Sequence, residues 1–165
     1  MGAVLWTGSL SKAFSWESFT PFVERGGTVL VVAPVFREEP LMRAVWENIK
    51  RRRGQVILVG SGQAVKDPAS YFLSLVALGA RAYLVDPWPL KPEGSFVVVD
   101  GKRGVIGPLV AGFADPEGKT RELREDEVAK WYSYGFALAR SGVPFEYDAQ
   151  GAALAHILRK LGFGR

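Results

Sequence analysis

The chain has 165 residues, a formal net charge of +4 and no cysteine. That length suits one domain with a sizeable core, and an apolar fraction of 48% with 23% charged residues excludes a disordered chain. No apolar run approaches the ~20 residues of a membrane span, and without cysteine there is neither a disulfide nor a thiolate metal site. The N-terminal stretch lacks the order of a signal peptide, so the expected location is cytoplasmic. The charge is uneven. Residues 1–85 hold 10 Lys/Arg against 6 Asp/Glu, whereas residues 86–165 hold 11 against 11. A mild basic excess is compatible with a polyanionic partner and does not require one.

The run from Thr28 to Pro34, TVLVVAP, reads as a buried strand. In the helix that follows, Leu41, Met42, Val45, Trp46 and Ile49 form one stripe. Pro40 suits its first turn, Lys50 to Arg53 suit the negative end of its dipole, and Gly54 stops it. Gln55 to Gly60, QVILVG, is the next strand, which completes a strand–helix–strand unit with a right-handed parallel crossover. A second unit follows. Asp67 caps and Pro68 opens a helix carrying Tyr71, Phe72, Leu75 and Val76; Gly79 ends it; Ala80 to Val85 form a third strand. The proline-broken loop DPWPLKPEG leads to EGSFVVVDGKRGVIGP, two strands around an Asp100-Gly101 turn. Past Gly112 comes a polar excursion. A helix then carries Val128, Trp131, Tyr132, Gly135, Leu138 and Ala139 on one face. VPFEY is a candidate edge strand, and a last helix carries Leu154, Ile157, Leu158 and Leu161. The expected fold is α/β, a mixed sheet flanked by helices, in one domain over 1–165 with a helical C-terminal addition from about 122.

This order of phrases resembles the phospholipase D-like phosphodiesterases over roughly residues 28–110. GSFVVVDGKRGVIG stands where that family has its HxKxxxxD signature and the following GSxN. With the signature Asp on Asp100, the Lys position falls on Ser95 and the His position on Glu93. Gly107 matches the first residue of GSxN, but Pro108 replaces its Ser and Val110 its Asn. The family reaction needs a nucleophilic imidazole, a second histidine as acid and lysines on the phosphoryl oxygens. Glu93 and Ser95 supply none of these, and an anion at 93 would repel a phosphate. His156, the lone histidine, lies far along the chain and off its helix's apolar stripe.

The resemblance therefore implies a catalytically inactive member kept for binding a nucleic acid, a phosphorylated ligand or a protein. It also implies a homodimer, since single-motif members pair. No cofactor is implied. Lys91, Lys102 and Arg103 are candidate anion-binding residues. Two other readings stand. One is a metal-dependent phosphodiesterase or nuclease rebuilt on Asp100 and Glu93, among the acids Asp86, Asp115, Glu146 and Asp148. The other is a structural subunit making contacts through Trp88, the tryptophan most expected to be exposed, and the polar excursion. GSGQA (Gly60 to Ala64) and TGSLS (Thr7 to Ser11) lack the full pattern of a phosphate loop and read as flexible loops.

Overall fold

The computed structural model describes residues 14–51 and 54–146. Seven strands form one mixed sheet in the order β6-β5-β4-β1-β2-β3-β7. Strands β1 (Thr28–Val32), β2 (Gln55–Gly60) and β3 (Arg81–Leu84) are parallel, with Thr28 opposite Gln55 and Ile57 opposite Arg81. Strand β4 (Phe96–Val99) runs antiparallel to β1, with Val32 opposite Phe96 and Val29 opposite Val99. It turns back into β5 (Arg103–Ile106), beside which lies the two-residue β6 (Arg121–Glu122). Strand β7 (Val143–Phe145) pairs antiparallel with β3 at the other edge.

Alternation sorts the apolar residues into two cores. Val29, Val31, Leu58, Val97, Val99 and Val105 face one layer of helices. That layer holds α1 (Thr20–Arg25), α2 (Glu39–Lys50), the short α3 (Gly62–Lys66) and α4 (Phe72–Leu78). Leu30, Val32, Ile57, Val59, Phe96 and Val98 face α5 (Glu125–Ser141). Helix α5 sits close over the sheet because Gly135 has no side chain; a Cβ there would come within 2.5 Å of Leu30. Its first turn is acidic, and Glu127 reaches back to accept the Arg124 N–H at 2.8 Å. Trp131 packs on Phe96, as the periodicity predicts. Helix α5 and β7 thus belong to the body of the fold, while the residues expected to form a last helix lie outside the described range.

Four details depart from the sequence reading. Helix α1 has too short an apolar pattern to be predicted, yet its Val23 and its N-cap Phe19 are fully buried. On α2 the buried stripe takes in Asn48, whereas Trp46 is 41% exposed. The cause is the end of α1: the Asn48 amide donates to the Val23 and Gly26 oxygens at 2.8 and 2.9 Å, adding to the single Gly26 N–H that caps the helix. The predicted helix from Pro68 starts only at Phe72, because Asp67 closes a turn onto the Ala69 N–H and pairs with Arg37. GSGQA is not a flexible loop: Ser61 caps α3 through the Gln63 N–H at 3.1 Å and donates to the Pro34 carbonyl at 2.8 Å.

Candidate functional site

The sheet has two ends, and the signature segment spans both. Ser95 precedes β4 beside the carboxyl ends of β1 and β2; Asp100 follows β4 beside their amino ends. Five residue steps along the extended strand separate them by roughly 17 Å. Glu93 and Asp100 therefore cannot share a metal ion, and among the described residues no group of three His, Asp or Glu is placed to hold one.

At the carboxyl end, Glu93 sits in an exposed 3-10 turn, Pro92–Gly94. Its own backbone N–H, and after that the Lys119 ammonium at 3.4 Å, hold its carboxyl below the usual range. Ser95 points the other way. It is fully buried, its hydroxyl finds no hydrogen-bond partner, and its carbonyl accepts the Gly107 N–H at 2.8 Å. A 3-10 turn at Pro108–Ala111 packs against β4, with Val110 and Ala111 fully buried. The floor beneath Ser95 is thus closed by the Pro108–Ala111 turn, the stretch that the sequence resemblance sets against GSxN.

A loop locks that floor from outside. Gly107 has φ +145, and a Cβ there would meet the Thr120 Cα at 2.3 Å. Thr120 accepts the Leu109 N–H through its hydroxyl at 3.1 Å. Asp115 accepts the Lys119 and Thr120 N–H groups, each at 2.8 Å. Burial pushes the Asp115 carboxyl up, but these N–H groups outweigh it and bring it below the ordinary value. The surface left is a shallow cleft of about 340 Å³ between Glu93, Pro108, Phe113, Asp115, Glu117 and Lys119. Three carboxylates against one ammonium make it hostile to phosphate.

The amino end differs. Asp100 (φ 55) and Gly101 (φ 64) both adopt the left-handed conformation, and the Lys102 N–H closes the turn onto the Val99 carbonyl at 3.0 Å. One Asp100 carboxylate oxygen accepts the N–H groups of Gly27 and Thr28, each at 2.9 Å, which ties the hairpin to the start of β1. Around this knot the topology gathers cations remote in sequence: Arg25 ends α1, Lys50 ends α2, Arg51 follows it, and Lys102 and Arg103 follow the turn. Arg51 pairs with Glu47 and Arg103 with Glu122. Arg25, Lys50 and Lys102 have no carboxylate partner among the described residues. Arg25, Lys102 and Arg103 line a cleft of about 430 Å³ with an apolar floor of Pro21, Phe22 and Val99. Phe22 is 41% exposed, and the Arg103 guanidinium lies 3.9 Å from its ring centre.

The structure thus brings together two of the three candidate anion-binding residues, Lys102 and Arg103, and adds Arg25 and Lys50. It leaves Lys91 at the other end, in the loop that leads to Glu93. Trp88 is not exposed as expected; it is half-buried against the α5-side core, with its indole N–H enclosed. Asp86 and Glu146 are exposed. Asp148, His156, Arg52, Arg53 and Thr7 to Ser11 lie outside the described residues.

No protein-family model matches the sequence, and no curated protein matches it significantly. Solved structures do match its fold. NucT from Helicobacter pylori superposes with a TM-score of 0.59 at 13% identity, over 78% of this chain and 89% of that one. A phospholipase D family member, Nuc from Salmonella typhimurium, gives 0.57 at 12% identity, over 77% and 88%. The chain therefore has a phospholipase D-like fold, a mixed α/β sheet flanked by helices. No helix among the described residues is long and apolar enough to cross a membrane.

Proposed function

We propose that this chain is a phospholipase D-like protein without the family's phosphodiester chemistry, and that it binds a polyanion, a nucleic acid in the first place, through the amino end of its sheet. The observation that carries the loss of chemistry is Ser95: at the signature's lysine position stands a fully buried neutral residue under a closed floor. A group without access to solvent cannot hold a phosphoryl oxygen. Pairing two copies, as the resemblance implies, would not restore the reaction, since neither copy brings an imidazole at position 93. Binding is supported by the gathering of Arg25, Lys102 and Arg103 around an exposed phenyl ring, with Lys50 closing a helix at the same end of the sheet. The metal-dependent alternative has no geometric support, because its two acids lie at opposite ends of β4.

The test uses the full chain and a fluorescent oligonucleotide. Affinity should fall steeply with salt, and Arg25→Glu with Lys102→Glu should weaken it by roughly tenfold or more, as lost phosphate contacts do. Lys91→Glu should leave it nearly unchanged. Turnover of a generic phosphodiester in the presence of a chelator would overturn the first half of the reading. An equal loss from Lys91→Glu would overturn the second.

A further inference from the structure

The cleft at the amino end of the sheet has a feature that phosphate contacts alone do not use. Its floor is apolar, formed by Pro21, Phe22 and Val99, and the Phe22 ring stays open to solvent. That ring is held from two sides. The fully buried Phe19 packs on it with 6.5 Å between ring centres, and the Arg103 guanidinium covers it at 3.9 Å. Arg103 is fixed in turn by the Glu122 carboxylate, at 3.1 and 3.2 Å. Phenyl ring and guanidinium thus form a preassembled stack before any ligand arrives.

Free positive charge stands beside this stack. Arg25 and Lys102 are exposed and have no carboxylate partner among the described residues. The Arg25 Nε donates to the Pro21 carbonyl at 3.3 Å, which leaves the two terminal nitrogens of its guanidinium for a ligand. Asp100 is the one carboxylate lining the cleft, and one of its oxygens already accepts the Gly27 and Thr28 N–H groups. A cationic rim over an aromatic floor fits a ligand that is anionic along one side and flat and apolar along the other.

An unpaired nucleotide has that form, because its base exposes a π face next to its phosphates. A duplex does not, since its base faces are closed by stacking and only their edges reach the grooves. Nor does this end of the sheet offer the projecting helix or two-stranded ribbon that enters a major groove. The Asp100 N–H donates to the Thr28 carbonyl at 2.8 Å, so the β4–β5 hairpin ends level with the start of β1. Helix α1 has six residues and stops at Arg25. Resting on the polyanion reading, we infer that the ligand is a single-stranded nucleic acid, with an unpaired base stacked on Phe22 and Arg103 and the neighbouring phosphates on Arg25 and Lys102.

The test compares three fluorescent probes of equal length on the full chain: oligo-dT, a duplex, and an abasic strand with the phosphates of oligo-dT and no bases. Oligo-dT should bind roughly tenfold more tightly than either of the others, although the duplex carries more phosphates. Phe22→Ala and Phe22→Leu should each weaken oligo-dT roughly tenfold and leave the duplex nearly unchanged, because leucine supplies apolar area without a π face. Phe22→Trp should keep the parent's affinity. Equal affinity for the three probes, or parent-like binding of oligo-dT by Phe22→Leu, would overturn the inference. If Arg25→Glu with Lys102→Glu still weakened all three probes, the polyanion reading would survive that result. Absence of binding to every probe would overturn both. Circular dichroism of each variant establishes that it is folded.

Discussion

The carboxyl and amino ends of the sheet share strand β4, yet one is closed and acidic and the other is open and basic. In α/β sheets the carboxyl ends of the parallel strands are the usual place for a site. Here that end is filled by a 3-10 turn and bolted by the Asp115–Thr120 loop. Asp100 and Gly107, where the sequence resembles the phospholipase D signature, have backbone duties. Asp100 holds the Gly27 and Thr28 N–H groups, and Gly107 leaves room for Thr120. The positions where the resemblance fails are those that, on that resemblance, would face a phosphate. Agreement with a catalytic motif can thus rest on architecture alone.

The comparison can be tested hardest at Ser95. Ser95→Lys restores the signature's cation, but in a closed site the ammonium must be buried unpaired or force the floor apart. Either should cost about 3 kcal/mol or more. Denaturant unfolding should show that loss, and no phosphodiesterase activity should appear. A variant as stable as the parent would mean that the carboxyl end opens in solution. At the other end, Asp100→Ala removes the acceptor of two N–H groups and puts alanine at φ 55, for a loss of about 2 kcal/mol. Asp100→Asn, which keeps an acceptor and tolerates that φ, should recover most of it. Equal losses in the two variants would remove the knot as the explanation.

The smallest effect concerns the β6 edge of the sheet, where Arg121 on β6 grips Glu127 on α5 through two bonds of 2.8 Å. Arg121 first, then the Arg124 N–H, lowers the Glu127 carboxyl from 4.5 to about 2. Its folded value lies below its unfolded one, so its stabilisation is complete above about pH 4.5 and fades as pH falls toward 2. Glu127→Gln should flatten the acid limb of the Tm–pH curve in that window and leave its shape near neutral pH unchanged. An unaltered acid limb would assign the pH dependence to other carboxylates.

How much of this was legible in the sequence follows from the range of each signal. Short β-branched runs and 3.6-residue stripes are local, so β1 to β5, α2 and α5 could be read directly. The Asn48 side of α2 could not, because its reason for burial lies on α1, whose six residues carry little periodicity. The depth of Ser95 was hidden for a related reason. GSFVVV is compatible with an open or a closed strand start, and closure depends on Val110, Ala111 and Thr120, which come later. The sequence did mark Lys102 and Arg103. Their association with Arg25 and Lys50 exists only after β1, β2 and β4 are laid side by side.

The strand order also bears on how the chain reaches this state. Pairing Thr28 with Gln55 closes a short loop, whereas pairing Val29 with Val99 closes one more than twice as long. Each doubling adds about 0.6 kcal/mol of closure entropy. Closure entropy thus favours the parallel half as the nucleus, with the β4–β5 hairpin joining it later. On that route the Asp100 carboxylate works as a latch, made only when the hairpin arrives. The floor over Ser95 and the cleft around Phe22, at opposite ends of one strand, are then completed in a single event.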